Sequence, residues 1–424
     1  MHLHSPPVNR SQVPARAAIV SVFALLVACG SADGGPSSSD GGTDSTSTDA
    51  VASNDSAGSA DVLNESGGDA AGPTDGASTS DDASDGGAEG SSDAGVDGTS
   101  GPSLDASSDA LLDGSSTSSD GGVVSYDGGG GGVLLFGGFA MSGAGFFDTW
   151  RFDGAAWSLI ADMGPGDRWE TAMAPLGTGV VLFGGVQEEP NNAGVIALDD
   201  TWLFGPTTWS QSNASGPPDN RTAPQGRGQY AMATLGSEVV IFGGNAPGFP
   251  LFGDTWVFDG QSWSQPTGLG PSARCNHVMA TLGSRVVLFG GADDNGPLGD
   301  TWTFDGTAWS RVTVTGGIAP SARFDATMAT SGDEVILFGG AGATGDLSDT
   351  WAFTGSTWTP LSVTGPSARA GQAMATLGTS IVLFGGYAST MALADTWVFD
   401  GTTWTNLQVN GPSARSSAAM ATLP

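Results

Sequence analysis

One sequence pattern recurs six times between residues 131 and 424, and it limits what this part of the chain can fold into. Each copy has a four-residue apolar run ending in Phe, a Gly-Gly pair, a loop of variable length and Asp-Thr-Trp, with a second Trp seven residues after the first. The Trp pairs are Trp150 and Trp157, Trp202 and Trp209, Trp256 and Trp263, Trp302 and Trp309, Trp351 and Trp358, and Trp397 and Trp404. Successive Gly pairs lie 46 to 59 residues apart, so we expect an array of repeated supersecondary units.

Each copy is expected to form four short strands. The apolar run before the Gly pair is typical of a strand buried on both faces, and the Asp-Thr-Trp-x-Phe segment alternates as a half-buried strand does. In four copies an Asp-Gly pair before the second Trp indicates a hairpin turn into a third strand. A fourth strand is predicted to begin at an Arg that is followed five residues later by Met. These arginines are Arg168, Arg227, Arg274, Arg323, Arg369 and Arg415.

The Gly pair, the spaced aromatic residues and the Arg-led strand together resemble the kelch repeat, and the resemblance covers residues 131–424. It implies an all-β fold: a six-bladed β-propeller of the galactose oxidase-like central domain superfamily. The first copy, Val133 to Phe136, has no Arg-led strand before it, and the last segment, Arg415 to Leu423, has no Gly-pair strand after it. We therefore predict that the C-terminal strand completes the first blade as its innermost strand and closes the ring.

Residues 1–28 have the pattern of a signal peptide. Arg10 and Arg16 precede an apolar run of about a dozen residues, which is too short to span a bilayer. The run ends in Leu26-Val27-Ala28-Cys29, which resembles the lipobox of bacterial lipoproteins and implies lipidation of Cys29. Several acyl chains give a durable membrane anchor. The alternative is an ordinary secretory signal with an incidental Cys.

Residues 29–130 are predicted to form a disordered linker between the lipidated Cys and the propeller, which spans residues 131–424. Residues 30–127 contain 20 acidic residues and no Arg, and most of the others are Ser, Gly, Ala and Thr. Such a segment has too little apolar surface to offset the entropy lost when a backbone is ordered.

Charge and the supply of metal ligands exclude several classes of function. The chain has a formal net charge of -32 and no Lys, so nucleic acid is not an expected partner. Beyond the signal peptide there is one His, His277, with three Tyr: Tyr126, Tyr230 and Tyr387. Copper radical oxidases that resemble galactose oxidase need two His, two Tyr and a Cys-Tyr crosslink, so we do not expect that activity. We also predict no metal and no cofactor.

The six arginines that lead the predicted fourth strands have two interpretations. In kelch domains that capture acidic peptides, arginines near this strand contact ligand carboxylates, so a ring of guanidinium groups at one mouth of the channel is a candidate binding site. Alternatively, each Arg pairs with the Asp of an Asp-Thr-Trp motif and joins neighbouring blades, and exact repetition favours this role. The sequence leaves both open.

The residues just after these arginines differ among the copies, as expected where a binding site breaks the symmetry. Polar and aromatic side chains there are expected to face the channel or its rim and to hold a small ligand by stacking and hydrogen bonds. The candidates are Trp169, Glu170, Tyr230, Asn276, His277, Phe324, Asp325 and Gln372. The alternative is a water-filled channel without a ligand.

We expect a monomeric, lipid-anchored binding module of the bacterial cell envelope that binds a protein or a polysaccharide and contacts the membrane only through its anchor. In bacterial lipoproteins an Asp after the Cys favours the inner membrane; Gly30 stands here, so we expect the outer membrane. The protein is not expected to be an enzyme. The alternative is an enzyme that acts on an acidic sugar, similar to a kelch-type sialic acid mutarotase, with the arginine ring and Glu170, Asp325 or His277 in its site.

Overall fold

The computed structural model describes residues 131–161, 164–190, 194–214 and 223–424, and it confirms the predicted propeller in this part of the chain. Six four-stranded antiparallel sheets, the blades, are built from strands of two to five residues. Blades are numbered here by the order of their Gly-pair strands. The signal peptide at residues 1–28, Cys29 and the linker to residue 130 lie outside the described residues, so those predictions are not tested by the structure.

The four strands of a blade follow one another outward from the centre, and each kind occurs once in every blade. From blade 1 to blade 6, the innermost strands are Ala419–Leu423, Ala172–Leu176, Ala231–Leu235, Val278–Leu282, Thr327–Ser331 and Ala373–Leu377. The second strands are Gly132–Phe136, Gly179–Phe183, Glu238–Phe242, Arg285–Phe289, Glu334–Phe338 and Ser380–Phe384. The third strands are Thr149–Phe152, Thr201–Phe204, Thr255–Phe258, Thr301–Phe304, Thr350–Phe353 and Thr396–Phe399. The outer strands are Trp157–Ala161, Trp209–Gln211, Trp263–Ser264, Trp309–Arg311, Trp358–Leu361 and Trp404–Leu407.

Short strands add to the loops that follow the Gly pairs. They are Val186–Glu188 with Val195–Ala197, Ala292–Asp293 with Gly296–Pro297, Ala341–Gly342 with Gly345–Asp346, and Tyr387–Ala388 with Met391–Ala392. Arg323–Phe324, which precedes the innermost strand of blade 5, pairs with Ala341–Gly342. The described residues include no helix that is long and apolar enough to cross a membrane.

The ring closes as predicted. Ala419–Leu423 pairs with Gly132–Phe136 along its whole length, so blade 1 combines the first and last strands of the propeller. The six innermost strands contact one another in sequence around a central channel. As the apolar runs indicate, the second strands are almost wholly buried, and a separate hydrophobic cluster fills the space between each pair of adjacent blades.

The second Trp of each copy ties its blade to the preceding blade. Its indole N–H donates to the Thr hydroxyl of the preceding Asp-Thr-Trp motif at 2.8–3.1 Å, as Trp209 does to Thr149 and Trp358 to Thr301. Its ring also packs against the Phe that ends the preceding second strand, with centroids 5.1–5.4 Å apart. The Asp-Thr-Trp repetition therefore sets inter-blade packing.

One prediction was wrong in register. The innermost strands begin four residues after the arginines and not at them. The residue two positions after each Arg has a left-handed backbone with φ between 52° and 64°. This conformation ends any extended run, so the arginine and the strand belong to separate segments.

Candidate functional site at one end of the channel

One end of the channel collects the sequence-predicted candidates. The innermost strands begin there, and because the strands of a blade are antiparallel, the loops after the Gly pairs lie at the same end. This end is called the upper face below.

The arginines form buried ion pairs with the Asp-Thr-Trp aspartates. In each pair one guanidinium nitrogen lies 2.5–2.7 Å from one carboxylate oxygen, and the other lies 2.8–3.0 Å from the second oxygen. The pairs are Arg168–Asp200, Arg227–Asp254, Arg274–Asp300, Arg323–Asp349, Arg369–Asp395 and Arg415–Asp148. This fork geometry is the strongest form of the Arg–carboxylate contact.

Further hydrogen bonds complete each ion pair. The nitrogen that is closer to the Asp also donates to the carbonyl of the first Gly of the pair, as Arg274 does to Gly290 at 3.0 Å. The indole of the first Trp donates to the same carboxylate, as Trp302 does to Asp300 at 2.7 Å. Burial alone would raise the pKa of these aspartates, but the hydrogen bonds and charge of the arginine outweigh it and hold each pKa below its ordinary value.

The expected pairing with the Asp-Thr-Trp motif is observed, but each ion pair lies within one blade. Asp300 precedes the third strand of blade 4, and Arg274 leads into the innermost strand of that same blade. It is the backbone of Arg274 that reaches blade 3, because its carbonyl accepts from Gly244 and its N–H donates to Phe252. Each arginine therefore links two neighbouring blades: its side chain pairs with the aspartate of its own blade, and its backbone forms hydrogen bonds with the preceding blade.

The arginine side chains offer no free group to a ligand in the structure. They are 0–3 % exposed, and their guanidinium nitrogens are occupied by the aspartate and backbone carbonyls. Phe252 and Phe146 also lie over the guanidinium groups of Arg227 and Arg415 at 4.1 and 3.8 Å. The first interpretation of the ring would require these pairs to open.

A closed ring of backbone hydrogen bonds surrounds the channel at the residue two positions after each Arg. The N–H of each ring residue donates to the carbonyl of the equivalent residue in the preceding blade, at 2.7–3.1 Å, and the sixth bond returns to the first residue. The ring residues are Glu170, Gln229, Asn276, Asp325, Gly371 and Ser417. Their left-handed backbones are thus held in one plane around the axis.

The ring residues and their neighbours line a cavity of about 120 Å³ in the upper channel. Its lining includes six of the eight predicted candidates: Glu170, Tyr230, Asn276, His277, Asp325 and Gln372. Gln229, Thr171 and Ser417 contribute as well. These side chains face the channel as expected from the sequence, and their role in ligand binding stays a prediction.

Glu170 lies in this cavity without a cationic partner. Burial raises its pKa to about 8; the hydrogen bond from Gln229, at 3.1 Å to Oε1, opposes this shift, and the charge of Asp325 adds to it. The second carboxyl oxygen, Oε2, is buried and has no hydrogen-bond partner among the described residues. A buried polar atom without a partner is costly whether the carboxyl group is protonated or ionised.

Asp325 lies three blades from Glu170 on the opposite side of the ring. Burial raises its pKa to about 7, opposed by a hydrogen bond from the hydroxyl of Tyr387 at 3.4 Å and assisted by the charge of Asp346. Tyr387 occupies the space that a side chain at Gly371 would fill, since a Cβ there would lie 3.1 Å from its ring. Sequence reasoning missed Tyr387, although it is one of only three Tyr and directly follows a Gly pair.

Below the ring, larger side chains turn toward the ends of the second strands. The Tyr230 hydroxyl donates to the carbonyl of Phe183, and the Gln372 amide donates to the carbonyl of Phe338 at 3.0 Å. The ring of His277 lies edge-on to Phe242. Burial, and secondarily the charge of Arg274, lowers the pKa of His277 to about 3, so its imidazole is neutral at physiological pH.

Two predicted candidates do not reach the cavity. Trp169 is buried against Phe139, with ring centroids 4.9 Å apart, and against Val186. Phe324 packs on Cys275 and Ala292. Both follow their arginine directly, and at this position the backbone pairs with the loop after the Gly pair of the same blade, which directs the residue away from the axis.

The lower half of the channel keeps the sixfold pattern. A cavity of about 400 Å³ is lined by Met-Ala-Thr triads from the innermost strands, with Pro175 in place of Thr in blade 2. Five threonines donate to the carbonyl of the equivalent residue in the preceding blade, as Thr281 does to Thr234 and Thr376 to Thr330. Pro175 has no hydroxyl, so the sixth bond, to Thr422, is missing.

Among the residues that the structure describes, no group of three or more His, Cys, Asp or Glu side chains could hold a metal ion. The upper cavity is therefore a polar site built from two carboxyl groups, amides, hydroxyls and a neutral imidazole.

The comparisons with known proteins agree with the repeated architecture. Residues 213–353 and 306–423 match the family described as the KLHDC2/KLHL20/DRC7 Kelch-repeats domain. These residues cover blades 3 to 6 and the innermost strand of blade 1. No curated protein matches the chain. With this match and six four-stranded blades on one repeated pattern, the chain is a kelch-repeat β-propeller protein.

Proposed function

We propose that the propeller is a non-catalytic binding module whose upper face binds a protein. Kelch repeats favour protein binding, and the apolar side chains exposed beside the channel mouth carry the proposal further. Phe147, Phe249 and Met391 are 51 %, 55 % and 66 % exposed, and all three lie on loops that follow Gly pairs. Large apolar side chains exposed on loops held by a rigid scaffold are typical of interaction surfaces.

The arginine geometry supports a binding role over an enzyme that acts on an acidic sugar. Such an enzyme would need a cationic group to hold the sugar carboxylate, and all six channel-end guanidinium groups are already paired with aspartates. The remaining candidates for that chemistry are Glu170, Asp325 and His277, and none of them supplies a positive charge, because the imidazole of His277 is neutral at physiological pH. These three side chains therefore do not replace the cationic group that an acidic substrate needs.

We further propose that Cys29 carries a lipid anchor that holds the protein as a monomer in the cell envelope, at the outer membrane. The support is the lipobox-like Leu26-Val27-Ala28-Cys29 at the end of an apolar run. A polysaccharide of the envelope is the second ligand class, because a propeller face on a long acidic tether would also suit one.

The binding proposal is tested by capture from the cell envelope with the full chain and two triple variants. In the first, Phe147, Phe249 and Met391 are changed to Ser. The control changes Leu159, Leu269 and Ile318 to Ser, which are 52 %, 95 % and 56 % exposed and lie off the loops after the Gly pairs. We expect the wild type and the control to capture the same protein after crosslinking, and the loop variant to capture at least tenfold less.

Equal losses in both triple variants would contradict a binding site on the loops after the Gly pairs. Retention of material that resists protease but is destroyed by periodate would replace the protein with a polysaccharide.

The anchor is tested by metabolic labelling with a fatty acid and by partitioning into detergent. We expect Cys29→Ser to abolish labelling and to move the protein to the aqueous phase, whereas Cys275→Ser, the other cysteine, keeps the label. A labelled Cys29→Ser variant would overturn the proposal.

A further inference from the structure

The upper cavity contains two carboxyl groups and, among the described residues, no positively charged side chain. Its lining includes Glu170 and Asp325 but no Arg, and the chain has no Lys. Arg168 and Arg323 lie two residues before Glu170 and Asp325 in the sequence. Arg168 is paired with Asp200, and Arg323 is paired with Asp349. Burial therefore favours the neutral form of both carboxyl groups, and a cation in the cavity would stabilise their ionised form.

Unpartnered polar atoms point to the same cavity. Among the described residues, four side chains on its wall have buried atoms without a hydrogen-bond partner: Glu170 (Oε2), Gln372 (Oε1), Asn276 (Nδ2) and His277 (both ring nitrogens). Gln372, His277 and Asn276 are only 4 %, 4 % and 9 % exposed. When Glu170 is ionised, its Oε2, Gln372 Oε1 and one nitrogen of the neutral imidazole are acceptors, against two donors, so the wall then has more acceptors than donors to satisfy them. Native structures rarely leave such groups unpaired unless something else binds them.

The arrangement is specific to this channel because the six equivalent positions differ. The ring places Glu170 and Asp325 three blades apart, facing each other across the axis, with Gln229 and Asn276 between them on one side. On the other side Gly371 has no side chain, and Tyr387 covers it and reaches Asp325. Opposed acceptors around a central space suit a ligand that donates hydrogen bonds in several directions.

We propose that the upper channel cavity binds a small organic cation, a primary ammonium or guanidinium group, between Glu170 and Asp325. The cation supplies the missing positive charge and donates N–H bonds to Glu170 Oε2 and Gln372 Oε1. A hydroxyl on the same ligand would accept from Asn276 Nδ2. The cavity of about 120 Å³ holds a group of a few heavy atoms, because one water takes about 30 Å³ of liquid volume.

A metal ion suits this cavity less well than an organic cation. A hard cation such as Ca²⁺ needs six or more oxygen ligands close together. The two carboxyl groups lie on opposite sides of the ring, and among the described residues no three His, Cys, Asp or Glu side chains are grouped closely enough to hold a metal ion.

The cation can come from a free amine or from a Lys or Arg side chain of a protein bound on the upper face. The recognition chemistry is the same in both cases. The proposal holds whether or not the upper face binds a protein, because the cavity can be filled by a free amine alone.

Binding is expected to strengthen as pH rises, because both carboxyl groups must be ionised to attract a cation. The pKa values are about 8 for Glu170 and about 7 for Asp325. The other titratable groups that act on them are Asp346 and Tyr387, and neutral His277 shares the cavity. Burial raises the pKa of Tyr387, so it stays protonated throughout this range.

The test is a titration of the full chain with methylammonium, ethanolamine and guanidinium at pH 6 and pH 8.5, followed by calorimetry and by the melting temperature. Sodium at equal ionic strength and tetramethylammonium, which has no N–H donor, are the control ions. We expect the N–H cations to raise the melting temperature and to bind at least tenfold more tightly at pH 8.5. Glu170→Gln and Asp325→Asn should each weaken binding at least tenfold, whereas Glu188→Gln, an exposed carboxylate in blade 2, should not.

A Gly-Lys-Gly peptide and its acetyl-lysine form distinguish the two sources. Tighter binding of the Lys peptide than of methylammonium, lost on acetylation, identifies a protein side chain. Binding of the free amines alone identifies a small molecule. The proposal is overturned if tetramethylammonium or sodium does as well, if Glu188→Gln weakens binding as much as Glu170→Gln, or if no cation binds at pH 8.5.

Discussion

Two sets of carboxylates lie at the upper end of the same channel, and their environments shift their pKa values in opposite directions. The six Asp-Thr-Trp aspartates each face a guanidinium fork, and their pKa values lie below the ordinary value although burial opposes this. Glu170 and Asp325 face amides and a phenol, and burial raises their pKa values to about 8 and about 7. The presence or absence of a counter-ion decides whether the pKa of a buried carboxyl group is lowered or raised.

The contrast separates residues that stabilise the fold from residues that are available to a ligand. The arginine–aspartate set repeats six times and satisfies its own charge. The ring residues break the sixfold pattern and leave charge and hydrogen-bonding atoms unsatisfied. In a repeat protein, a residue that is the same in every copy indicates a role in stabilising the fold. A position that differs among the copies indicates where a binding site for a particular ligand is possible.

The largest expected effect comes from breaking one ion pair. Arg274→Ala leaves Asp300 and the carbonyl of Gly290 without their buried donor. We expect the free energy of unfolding to fall by about 3–5 kcal/mol, because an uncompensated charge is left in a partly buried site. Urea unfolding of the full chain at pH 7 measures this difference.

Two variants sharpen that result. Arg274→Lys should recover only part of the loss, because an ammonium group cannot reproduce the two-pronged contact. Arg285→Ala removes an exposed arginine from the same blade and should change stability by no more than about 0.5 kcal/mol. Equal effects of Arg274→Ala and Arg285→Ala would show that the ion pairs do not stabilise the fold.

An intermediate effect is expected when the carboxyl group of Glu170 is replaced by an amide. In the folded protein Glu170 stays protonated up to about pH 8, whereas in the unfolded chain it ionises near pH 4.5. The folded state therefore binds more protons between these values, and its stability falls as pH rises through that window. Glu170→Gln should raise the free energy of unfolding by roughly 2 kcal/mol at pH 8.5 and leave it unchanged near pH 4.

The aspartates of the ion pairs give the opposite dependence. Their lowered pKa values mean that their contribution is present above the pKa of an unfolded Asp and is lost as pH falls below it. Urea titrations at pH 3, 4, 7 and 8.5 separate the two limbs. The comparison fails if Glu170→Gln has the same effect at pH 4 and at pH 8.5, or if Glu188→Gln matches it.

The smallest expected effect concerns Pro175, which stands where the other five innermost strands have Thr and which leaves no charge without a partner. Pro175→Thr should supply the missing hydroxyl to the carbonyl of Thr422 and raise the free energy of unfolding by about 1 kcal/mol or less. Thr281→Val, which removes one of the five existing bonds, should lower it by a similar amount. Thermal unfolding of the two variants measures both changes. Destabilisation by Pro175→Thr would show that the ring is not completed in this way.

Much of the fold was predictable because the copies repeat. The Gly-pair strands, the six blades and the closure by Ala419–Leu423 follow from spacing and from the two incomplete ends. The partner of each Arg also followed from the repetition, although the sequence did not reveal that the ion pair stays within one blade.

The cavity was predictable only in part. Glu170, Asn276 and Asp325 stood out because they differ among copies, but Trp169 and Phe324 differ as well and point elsewhere. A left-handed residue two positions after each Arg decides which side chains face the axis, and no spacing rule showed it. Tyr387 was missed because it enters from a loop of blade 6 to contact Asp325 of blade 5.

The shared first blade has a consequence for biosynthesis. Gly132–Phe136 is made near the start of the propeller, but its innermost partner, Ala419–Leu423, is made almost 300 residues later. Until that strand is synthesised, one strand edge of blade 1 has no partner and the circle of blades is open. Exposed strand edges template wrong pairings, so the nascent chain must avoid aggregation for the whole of that interval. The native ring therefore cannot close before Ala419–Leu423 is available, and pairing of this strand with Gly132–Phe136 is the closing step.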